Sequence, residues 1–297
     1  MAVHKYSAFL KVIELGSISK AADELGYTQS AVSRMIADLE NEWGLMLLKR
    51  SRAGLALSSD GIEMLPYVRA LCEKYREMQD QANAIHGLET GFIRIGSCSS
   101  VSTQWLPKIL KEFEKLYPHI DFRLENMEYS DTEDALLAGE IDCGFITAPC
   151  SPELDFSFLH RDRILAVLPP EHELAAAEKY PLERLSTERF IKLRDEANSE
   201  VKEFAMLIAL LKAPLNTFCD VNDDYSIMAM VESGLGVSVL TELVTERMPF
   251  NIVLKEFDVP QHRDIGIAVR RGLRPSPATE RFVQVVKDCF KDGKFVI

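Results

Sequence analysis

Apolar residues in the first 60 positions recur at helical spacing, and glycines interrupt them. The pattern predicts a first helix around residues 7–15 that ends at a glycine. A second short helix is predicted with Ser19 near its N-cap and with Gly26 just past its end. A third helix is predicted to begin at Thr28 and to run to about Trp43. The chain therefore opens with three short helices in a small domain.

The third predicted helix has one apolar side and one polar side. At about 100° per residue, three apolar residues fall together as its buried stripe, namely Val32, Ile36 and Leu39. The opposite side carries Ser30, Ser33 and Arg34. The helix-turn-helix pattern consists of two helices connected by a short turn that contains glycine. The second helix has a polar and basic exposed side. Many pairs of small helices share this pattern, so the segment that follows is needed to support it.

The segment after the third helix supplies that support. Two short apolar runs, residues 45–48 and 55–57, flank a basic stretch and predict a small β-hairpin. Between residues 43 and 59 there are three positive charges and no negative charge, at Lys49, Arg50 and Arg52. One interpretation is a solvated loop. Beside a helix-turn-helix, the hairpin is instead expected to be a wing that rests on a phosphate backbone.

Residues 61–90 predict one long helix that links this domain to the rest of the chain. Its apolar residues are spaced alternately by four and three positions, which is a heptad seam. The seam consists of Met64, Val68, Leu71, Tyr75, Met78, Ala82 and Ile85. A helix that packs on its own domain normally shows a wider apolar stripe. The narrow seam therefore favours pairing with the same helix of a second subunit over packing within the chain.

From residue 91 onward, short strands and amphipathic helices alternate. The order strand, helix, strand, helix, strand over residues 92–147 predicts a parallel sheet flanked by helices. The alternation resumes after a proline-rich connection, so we expect an α/β fold of two subdomains between which the chain crosses more than once. The predicted boundaries are residues 91–161 with 268–297 for the first subdomain and residues 162–267 for the second.

Bulk composition limits the function classes. Of 297 residues, 47% are hydrophobic and 27% are charged, and the longest apolar run is far shorter than the ~20 residues that a membrane span needs. The N-terminal segment lacks the pattern of a signal peptide and the six cysteines form no CxxC pair, so we expect a cytoplasmic protein without a metal site. The net charge of −12 argues against a nucleic-acid partner until it is divided along the chain. Residues 1–60 carry no net charge, whereas residues 91–297 carry −10.

The segment GSCSSVST follows the first predicted strand of the α/β part and opens a helix. The free amides of a helix start, with the hydroxyls of Ser99, Ser100, Ser102 and Thr103 nearby, suit a carboxylate or another small anion. The alternative interpretation is a serine-rich cap and turn. Cys98 lies beside the helix start, where a thiol can become reactive, so a redox switch is a further alternative to simple core packing.

Enzyme motifs are absent or incomplete. The HRD triplet at residues 160–162 lacks the flanking residues of a kinase loop, and the GLG triplet at residues 234–236 lacks the third glycine of a dinucleotide-binding loop. The sequence contains no GxSxG, HExxH or P-loop. We therefore expect neither catalysis nor a cofactor.

Residues 9–61 resemble the winged helix-turn-helix of LysR-type bacterial transcriptional regulators. The matching positions form a dense, ordered set that comprises Phe9, Gly16, Ser17, Ala21, Ala22, Leu25, Thr28, Gln29, Ser30, Ala31, Val32, Ser33, Ile36, Leu39, Glu40, Gly44, Arg50, Arg52, Leu57 and Gly61. Residues 91–297 resemble the effector domain of the same family more loosely, through the segments IRIG, LPKILKEFEKLYP, ALLAGEIDCGF, LPPEHEL and VESGLGVSVL. The sequence departs from the family at Leu48, Ser58 and Thr241, where Phe, Thr and Pro are usual.

The resemblance implies that the third helix enters the major groove of double-stranded DNA. The residues expected closest to the DNA are Ser19, Gln29, Ser30, Ser33, Arg34, Arg50 and Arg52, the last two gripping the backbone from the wing. The long helix implies a homodimer, and similar proteins often form tetramers. A stand-alone ligand-binding protein of the periplasmic type is the rival class, and the helix-turn-helix segment argues against it.

The resemblance also implies a small-molecule effector in a cleft between two Rossmann-like subdomains, as in periplasmic binding proteins. One wall of the cleft is expected to supply Ser99, Ser100, Val101, Ser102, Tyr129 and Thr147. The opposite wall is expected to supply Asn198, Ser199 and Asn222.

Overall fold

The computed structural model describes residues 2–51, 54–85, 90–194, 207 and 209–291. The first domain contains three helices and a hairpin, and its elements are α1 (Ala2–Leu15), α2 (Ile18–Leu25), α3 (Gln29–Trp43), β1 (Leu48–Ser51) and β2 (Gly54–Leu57). The predicted stripe of α3 is confirmed, because Val32, Ile36 and Leu39 are all buried against the other helices of the domain. The two strands pair antiparallel and form the predicted wing hairpin.

Glycines and a serine set the ends of the short helices. Gly26 and Gly44 adopt the left-handed conformation, with φ of 70° and 67°, and end α2 and α3. The N-cap of α2 is Ser17, whose Oγ accepts a hydrogen bond from the backbone nitrogen of Lys20 at 3.4 Å. The cap therefore lies two residues before Ser19, whose side chain is exposed in the first turn.

The linker helix α4 (Ser59–Ile85) is joined to the wing by direct backbone contact. Ser58 precedes it, and its Oγ accepts a hydrogen bond from the backbone nitrogen of Gly61 at 2.9 Å and donates one to the carbonyl of Met46. A Cβ at Gly61 would lie 2.1 Å from the carbonyl oxygen of Leu47. Glycine is required at this position because the two backbones touch.

The first part of the predicted heptad seam packs within the chain. Val68 is only 3% exposed and Met64 is half-buried, and both lie in the cluster that contains Phe9 and Leu39 of the first domain. The prediction that the whole seam pairs with a second subunit therefore differs from the structure at these two positions. The physical reason is that the start of α4 is held against α1, which takes up the apolar side of its first turns.

The later part of the seam is open in a single chain. Leu71 and Met78 are 43% and 59% exposed, and Ala82 is exposed as well. Tyr75 is half-buried, whereas the side chain of Ile85 lies outside the described residues.

The α/β part begins with three parallel strands. Its first elements are β3 (Gly91–Ser97), α5 (Ser99–Gln104), α6 (Leu106–Leu116), β4 (Ile120–Asn126), α7 (Tyr129–Leu137) and β5 (Cys143–Ala148). Strand β3 lies between β4 and β5 and is parallel to both, which confirms the predicted parallel arrangement of these strands. The helices bury apolar residues on this sheet, so the first subdomain has a core of its own.

Two long antiparallel strands, β6 (Leu154–Leu168) and β10 (Val253–Arg270), run through both subdomains. They complete a six-stranded mixed sheet in the order β4-β3-β5-β10-β6-β9, with β9 at Ser238–Thr241. Residues 264–268 of β10 already pair with β5, so this strand joins the first subdomain before the predicted boundary at residue 268. The sequence pattern could not place the crossing, because one continuous ladder spans it.

The second subdomain packs around β9 and a two-stranded parallel sheet. Its remaining elements are a 3₁₀ helix (Leu182–Ser186), β7 (Phe190–Leu193), β8 (Thr217–Val221), α8 (Asp224–Glu232) and α9 (Glu242–Thr245). The predicted helix around residues 199–212 lies mostly outside the described residues, and residues 209–212 are not helical. The final helix, α10 (Pro277–Lys291), returns to the core of the first subdomain.

Ion pairs fix the linker helix to the first subdomain. Glu73 pairs with Arg270 at 2.8 Å, and Arg76 pairs with Asp142 at 2.8 Å. Asp142 also accepts hydrogen bonds from the backbone and the guanidinium of Arg94 in β3. The linker helix is therefore held by charged contacts on one side and by the first domain at its start.

Among the helices that the structure describes, none combines the length and the apolar character needed to cross a membrane.

Candidate functional site

The exposed side of α3 forms one candidate site. Thr28 caps the helix, since its Oγ1 accepts a hydrogen bond from the backbone nitrogen of Ala31 at 3.2 Å. Gln29, Ser30, Ser33 and Arg34 are all exposed on the side opposite the buried stripe. Ser19 is exposed at the start of α2. The apolar stripe holds α3 on the domain, and its other side presents short polar, amide and guanidinium groups. The major groove of DNA accepts a helix with this shape and chemistry.

The wing lies beside this helix. Glu40 of α3 holds it there, because its Oε1 accepts hydrogen bonds from the backbone nitrogens of Leu47 and Leu48 at 2.8 and 3.2 Å. The backbone of Arg50 belongs to β1, but its side chain and all of Arg52 lie outside the described residues. Leu48, where the family usually has Phe, is partly buried in the domain core.

A second candidate site is a cleft of about 350 Å³ between the two subdomains. The first subdomain lines it with Cys98, Ser99, Ser100, Thr103, Asn126, Glu128 and Tyr129. The second subdomain lines it with Ile164, Leu193, Arg194, Asn222, Asp223, Asp224, Tyr225, Val239, Leu240, Thr241, Val244 and Met248. Arg263 of β10 lies between the two walls. The volume and the mixed lining are typical of a site for a small molecule.

The cleft brings together four of the predicted effector residues. Ser99, Ser100, Tyr129 and Asn222 line it. The other three described residues do not: Val101 is buried in the core, Ser102 pairs its hydroxyl with Ser97 at 2.7 Å, and Thr147 is buried in β5. Asn198 and Ser199 lie outside the described residues. Ser99, Ser100 and Thr103 fall on one side of α5 at helical spacing and line the cleft, whereas Val101 and Ser102 lie on the other side.

Sequence reasoning missed the charged pair at the centre of the cleft. Arg263 donates from Nε to Asp162 Oδ2 at 2.9 Å and from Nη2 to Thr241 Oγ1 at 2.8 Å. Asp162 also accepts a hydrogen bond from the backbone nitrogen of Leu243 at 2.9 Å. Both members of the pair are buried, and they are opposite each other on β6 and β10. Thr241, where the family usually has Pro, is therefore part of the cleft's polar network.

Two acidic groups of the cleft have displaced pKa values. Burial raises the pKa of the Tyr129 hydroxyl well above its usual value, while the nearby guanidinium of Arg263, 5.1 Å from the tyrosine ring, opposes that shift. Burial also raises the pKa of Asp224 to about 6, against the opposing charge of Arg263 and with the help of Asp223. Both groups are therefore poorly solvated.

The cysteines give little support to a redox site. Cys98 is buried beside the cleft, with its Sγ 3.2 Å from Ser100 Oγ. Burial raises the pKa of the Cys143 thiol well above its usual value, which keeps this group in its unreactive protonated form. Within the described part of the chain, no group of three His, Cys, Asp or Glu side chains could hold a metal ion.

A winged helix-turn-helix joined by a long helix to a two-subdomain cleft defines a class of protein, the ligand-responsive transcriptional regulators. Two family models match the chain: "Bacterial regulatory helix-turn-helix protein, lysR family" over residues 3–62 and "LysR substrate binding domain" over residues 86–291. The chain belongs to the LysR family of transcriptional regulators.

Relatives and solved structures agree with this assignment. The chain is 29% identical over 293 residues to the uncharacterized HTH-type transcriptional regulator YvbU of Bacillus subtilis, covering 98% of this chain and 99% of the relative. A full-length OxyR variant from Pseudomonas aeruginosa has a similar fold, with a TM-score of 0.76, 19% identity and coverage of 98% and 95%. CbnR in complex with its target DNA is similar with a TM-score of 0.67, 21% identity and coverage of 97% and 99%.

Proposed function

We propose that this regulator binds double-stranded DNA as a homodimer through α3 and the wing, and that a small-molecule effector in the cleft modulates its activity. The observation that carries the proposal is the exposed polar side of α3, held in place by a fully buried apolar stripe. CbnR, which has a similar fold, is described in complex with its target DNA. DNA binding places the proposed activity in the bacterial cytoplasm.

Each polar residue of the surface has a distinct expected role. Gln29 can pair with adenine and Arg34 with guanine through two hydrogen bonds each, so these residues would determine sequence preference. Ser19, Ser30 and Ser33 are short enough to let the helix approach the groove. Arg50 and Arg52 would bind phosphates from the wing, which adds affinity that depends on salt and carries little sequence information.

The open part of α4 supports the dimer. Tyr67, Leu71 and Met78 are exposed and lie on one side of the helix at about 100° per residue. An apolar stripe of this kind is suited to pair with its counterpart in a second subunit. Pairing would place two recognition helices on an approximately palindromic site, and further association to a tetramer would extend the contact with DNA.

The first wall of the cleft suits the carboxylate of an effector. Ser99, Ser100 and Thr103 line the cavity, where Ser99 Oγ donates a hydrogen bond to Asn126 Oδ1 at 3.3 Å and Thr103 Oγ1 donates one to the carbonyl of Ser99 at 2.9 Å. Small carboxylates that raise the melting temperature of the protein are expected to bind less tightly to Ser100→Ala. Ser130→Ala, an exposed serine outside the cleft lining, is the matched control. Equal affinity of the two variants for the carboxylate would show that it binds away from Ser100.

The DNA-binding proposal is tested by fluorescence anisotropy with duplex DNA from upstream of the protein's own gene and with a random duplex. Arg34→Ala is expected to weaken binding to the specific duplex at least tenfold, since one good base contact contributes about 1–3 kcal/mol. Lys115→Ala, an exposed lysine of α6 in the effector domain, should leave binding unchanged. Equal affinity of the wild type for both duplexes, or no effect of Arg34→Ala, would refute the assigned role of α3.

A further inference from the structure

We propose that the effector of this regulator carries a protonated amine, which binds to the carboxylate of Asp224 in the second wall of the cleft. The proposal rests on the proposed function, in which the cleft holds the effector, and it names the chemical class of that effector. With a carboxylate at the serine hydroxyls of the first wall, the class is a small zwitterion of the size of an amino acid.

The hydrogen bonding of Asp224 is incomplete. Its Oδ1 atom is buried and has no hydrogen-bond partner among the residues that the structure describes. The preceding residue, Asp223, is the N-cap of α8 and accepts a hydrogen bond from the backbone nitrogen of Ser226 at 2.9 Å. The capping role is therefore already filled, and Asp224 lines the cavity with one carboxylate oxygen that lacks a partner among the described residues. Buried polar atoms in folded proteins nearly always have partners, so an exception that lines a ligand cleft indicates a missing donor.

The arginines of the cleft do not supply that donor. Arg263 is engaged by Asp162 and Thr241 through hydrogen bonds of 2.9 and 2.8 Å. Arg194 lies 3.5 Å from Asp220, measured between Nε and Oδ2. Neither guanidinium is a hydrogen-bond partner of Asp224 Oδ1, which has none among the described residues.

The net charge of the cleft favours a cationic group. Glu128, Asp223 and Asp224 line the cavity together with Arg194 and Arg263, and the buried Asp162 behind the wall offsets the charge of Arg263. Among the described residues of the cleft, carboxylates therefore exceed guanidinium groups. A ligand ammonium group would meet a favourable potential, whereas a second anion at this wall would be repelled.

The ionisation of Asp224 agrees with this interpretation. Burial raises its pKa to about 6, Arg263 opposes the shift and Asp223 adds to it. At neutral pH the group is therefore charged while only partly solvated, which is unfavourable unless a cation or a hydrogen-bond donor lies nearby. A protonated amine would relieve it by supplying both a charge and hydrogen-bond donors.

The rest of the second wall indicates what the remainder of the ligand contacts. Ile164, Leu193, Val239 and Met248 line the cavity with apolar side chains. The cavity of about 350 Å³ is in the lower part of the range of ligand pockets, which run from about 300 to 1,000 Å³. An amino acid with an apolar side chain would match all three parts of the site.

The test uses pairs of compounds that differ only in the amine. The full-length protein is titrated with L-leucine and 4-methylpentanoate, with L-phenylalanine and 3-phenylpropanoate, and with L-glutamate and glutarate, at constant ionic strength and pH 7.5. Binding is followed by thermal shift and by isothermal titration calorimetry. At least one amine-bearing compound is expected to bind ten or more times more tightly than its partner without the amine.

Two variants separate Asp224 from an acidic residue outside the cleft. Asp224→Asn keeps the shape of the side chain and removes the charge, and it is expected to lower the affinity for the amine-bearing compound at least tenfold. Asp131→Asn is the matched control, because Asp131 is also an acidic residue in the first turn of a helix but is exposed and does not line the cleft. It removes one charge from the effector domain and is expected to change the affinity less than threefold.

The outcomes distinguish this inference from the proposed function. If compounds without the amine bind as tightly as their partners, or if Asp224→Asn has no effect, the amine proposal is wrong while the cleft remains the effector site. If no compound of either kind binds, the amine proposal and the cleft assignment both fail. Anisotropy on the same preparation then shows whether the DNA-binding part of the proposed function stands.

Discussion

Glu73 on the linker helix accepts a hydrogen bond from Arg270, the last residue of β10, at 2.8 Å between Oε2 and Nη2. The two residues are 197 positions apart in the sequence, and their side chains are only 15% and 24% exposed. The contact joins the helix that carries the DNA-binding domain to a strand that also passes through the ligand cleft at Arg263.

Glu73→Gln is expected to destabilise the protein by about 1–3 kcal/mol, because it leaves the largely buried guanidinium of Arg270 without its counter-charge. The change is measured by urea denaturation, followed by the fluorescence of Trp43 and Trp105, one in each domain. Glu112→Gln removes an exposed pair with Lys115 and should change stability by less than about 0.5 kcal/mol. Equal effects of the two substitutions would show that the linker contact is no stronger than a surface pair.

Gly61→Ala is expected to destabilise the first domain by at least about 2 kcal/mol, because its Cβ would overlap the carbonyl oxygen of Leu47. Gly16→Ala is the comparison. Gly16 has φ of +60° and open space around it, so its substitution costs only the backbone strain of about 1–2 kcal/mol. Melting curves of the two variants rank these effects, and a larger loss at Gly16 would contradict the close approach at Gly61.

Asp224→Asn is expected to make the ligand-free protein more stable at neutral pH. The pKa of Asp224 in the fold is about 6 and is raised above its usual value of 3.8, so folding favours the protonated form. The wild type therefore loses stability as the pH rises from about 4 to about 6, and the asparagine variant does not. Above pH 6 the variant should be more stable by about 1–3 kcal/mol.

Melting temperatures from pH 4 to 8 check this dependence. Asp223→Asn is the control for stability, because hydrogen bonds from Ser226 lower the pKa of Asp223 and its contribution has the opposite sign. That carboxylate stabilises the fold above its usual pKa and loses this effect as the pH falls. A constant difference between wild type and Asp224→Asn over the whole range would mean that the group does not titrate in this window.

Met78→Glu is expected to dissociate the proposed dimer, because it places a charge in the middle of the exposed stripe of α4. Sedimentation velocity should show a monomer, and the affinity for a palindromic duplex should fall at least tenfold since two half-sites no longer bind together. Ile62→Glu is the control, as Ile62 is 59% exposed on the opposite side of the same helix. Dissociation by Ile62→Glu alone would place the interface on the other side.

The first domain and the start of the sheet could be predicted because local pattern determines them. The stripe of α3 needs only the helical period, and Gly26 ends α2 because it accepts a left-handed conformation. The parallel strands follow from the alternation of short strands and helices. The cleft was only partly predictable, since Ser102 and Thr103 are adjacent in sequence but only Thr103 lines the cavity.

The charged centre of the cleft could not be predicted because its partners are distant in the sequence. Asp162 and Arg263 are 101 positions apart and meet only when β6 and β10 pair. A signal was present, since each is a charged residue at the edge of an apolar strand segment. Asp224 gave no such signal, because an acidic residue in the first turn of a helix is usually solvated.

The contact of Gly61 with Leu47 has a mechanical consequence. Because backbone touches backbone with no side chain between them, and Ser58 ties both segments by hydrogen bonds, the wing cannot slide along the linker helix. Any turn of α4 about its own axis must carry the wing with it. The angle at which the wing meets a DNA backbone therefore depends on the contacts that orient α4, such as the ion pairs of Glu73 and Arg76 with the effector domain. A rotation of α4 would rotate the first domain with it.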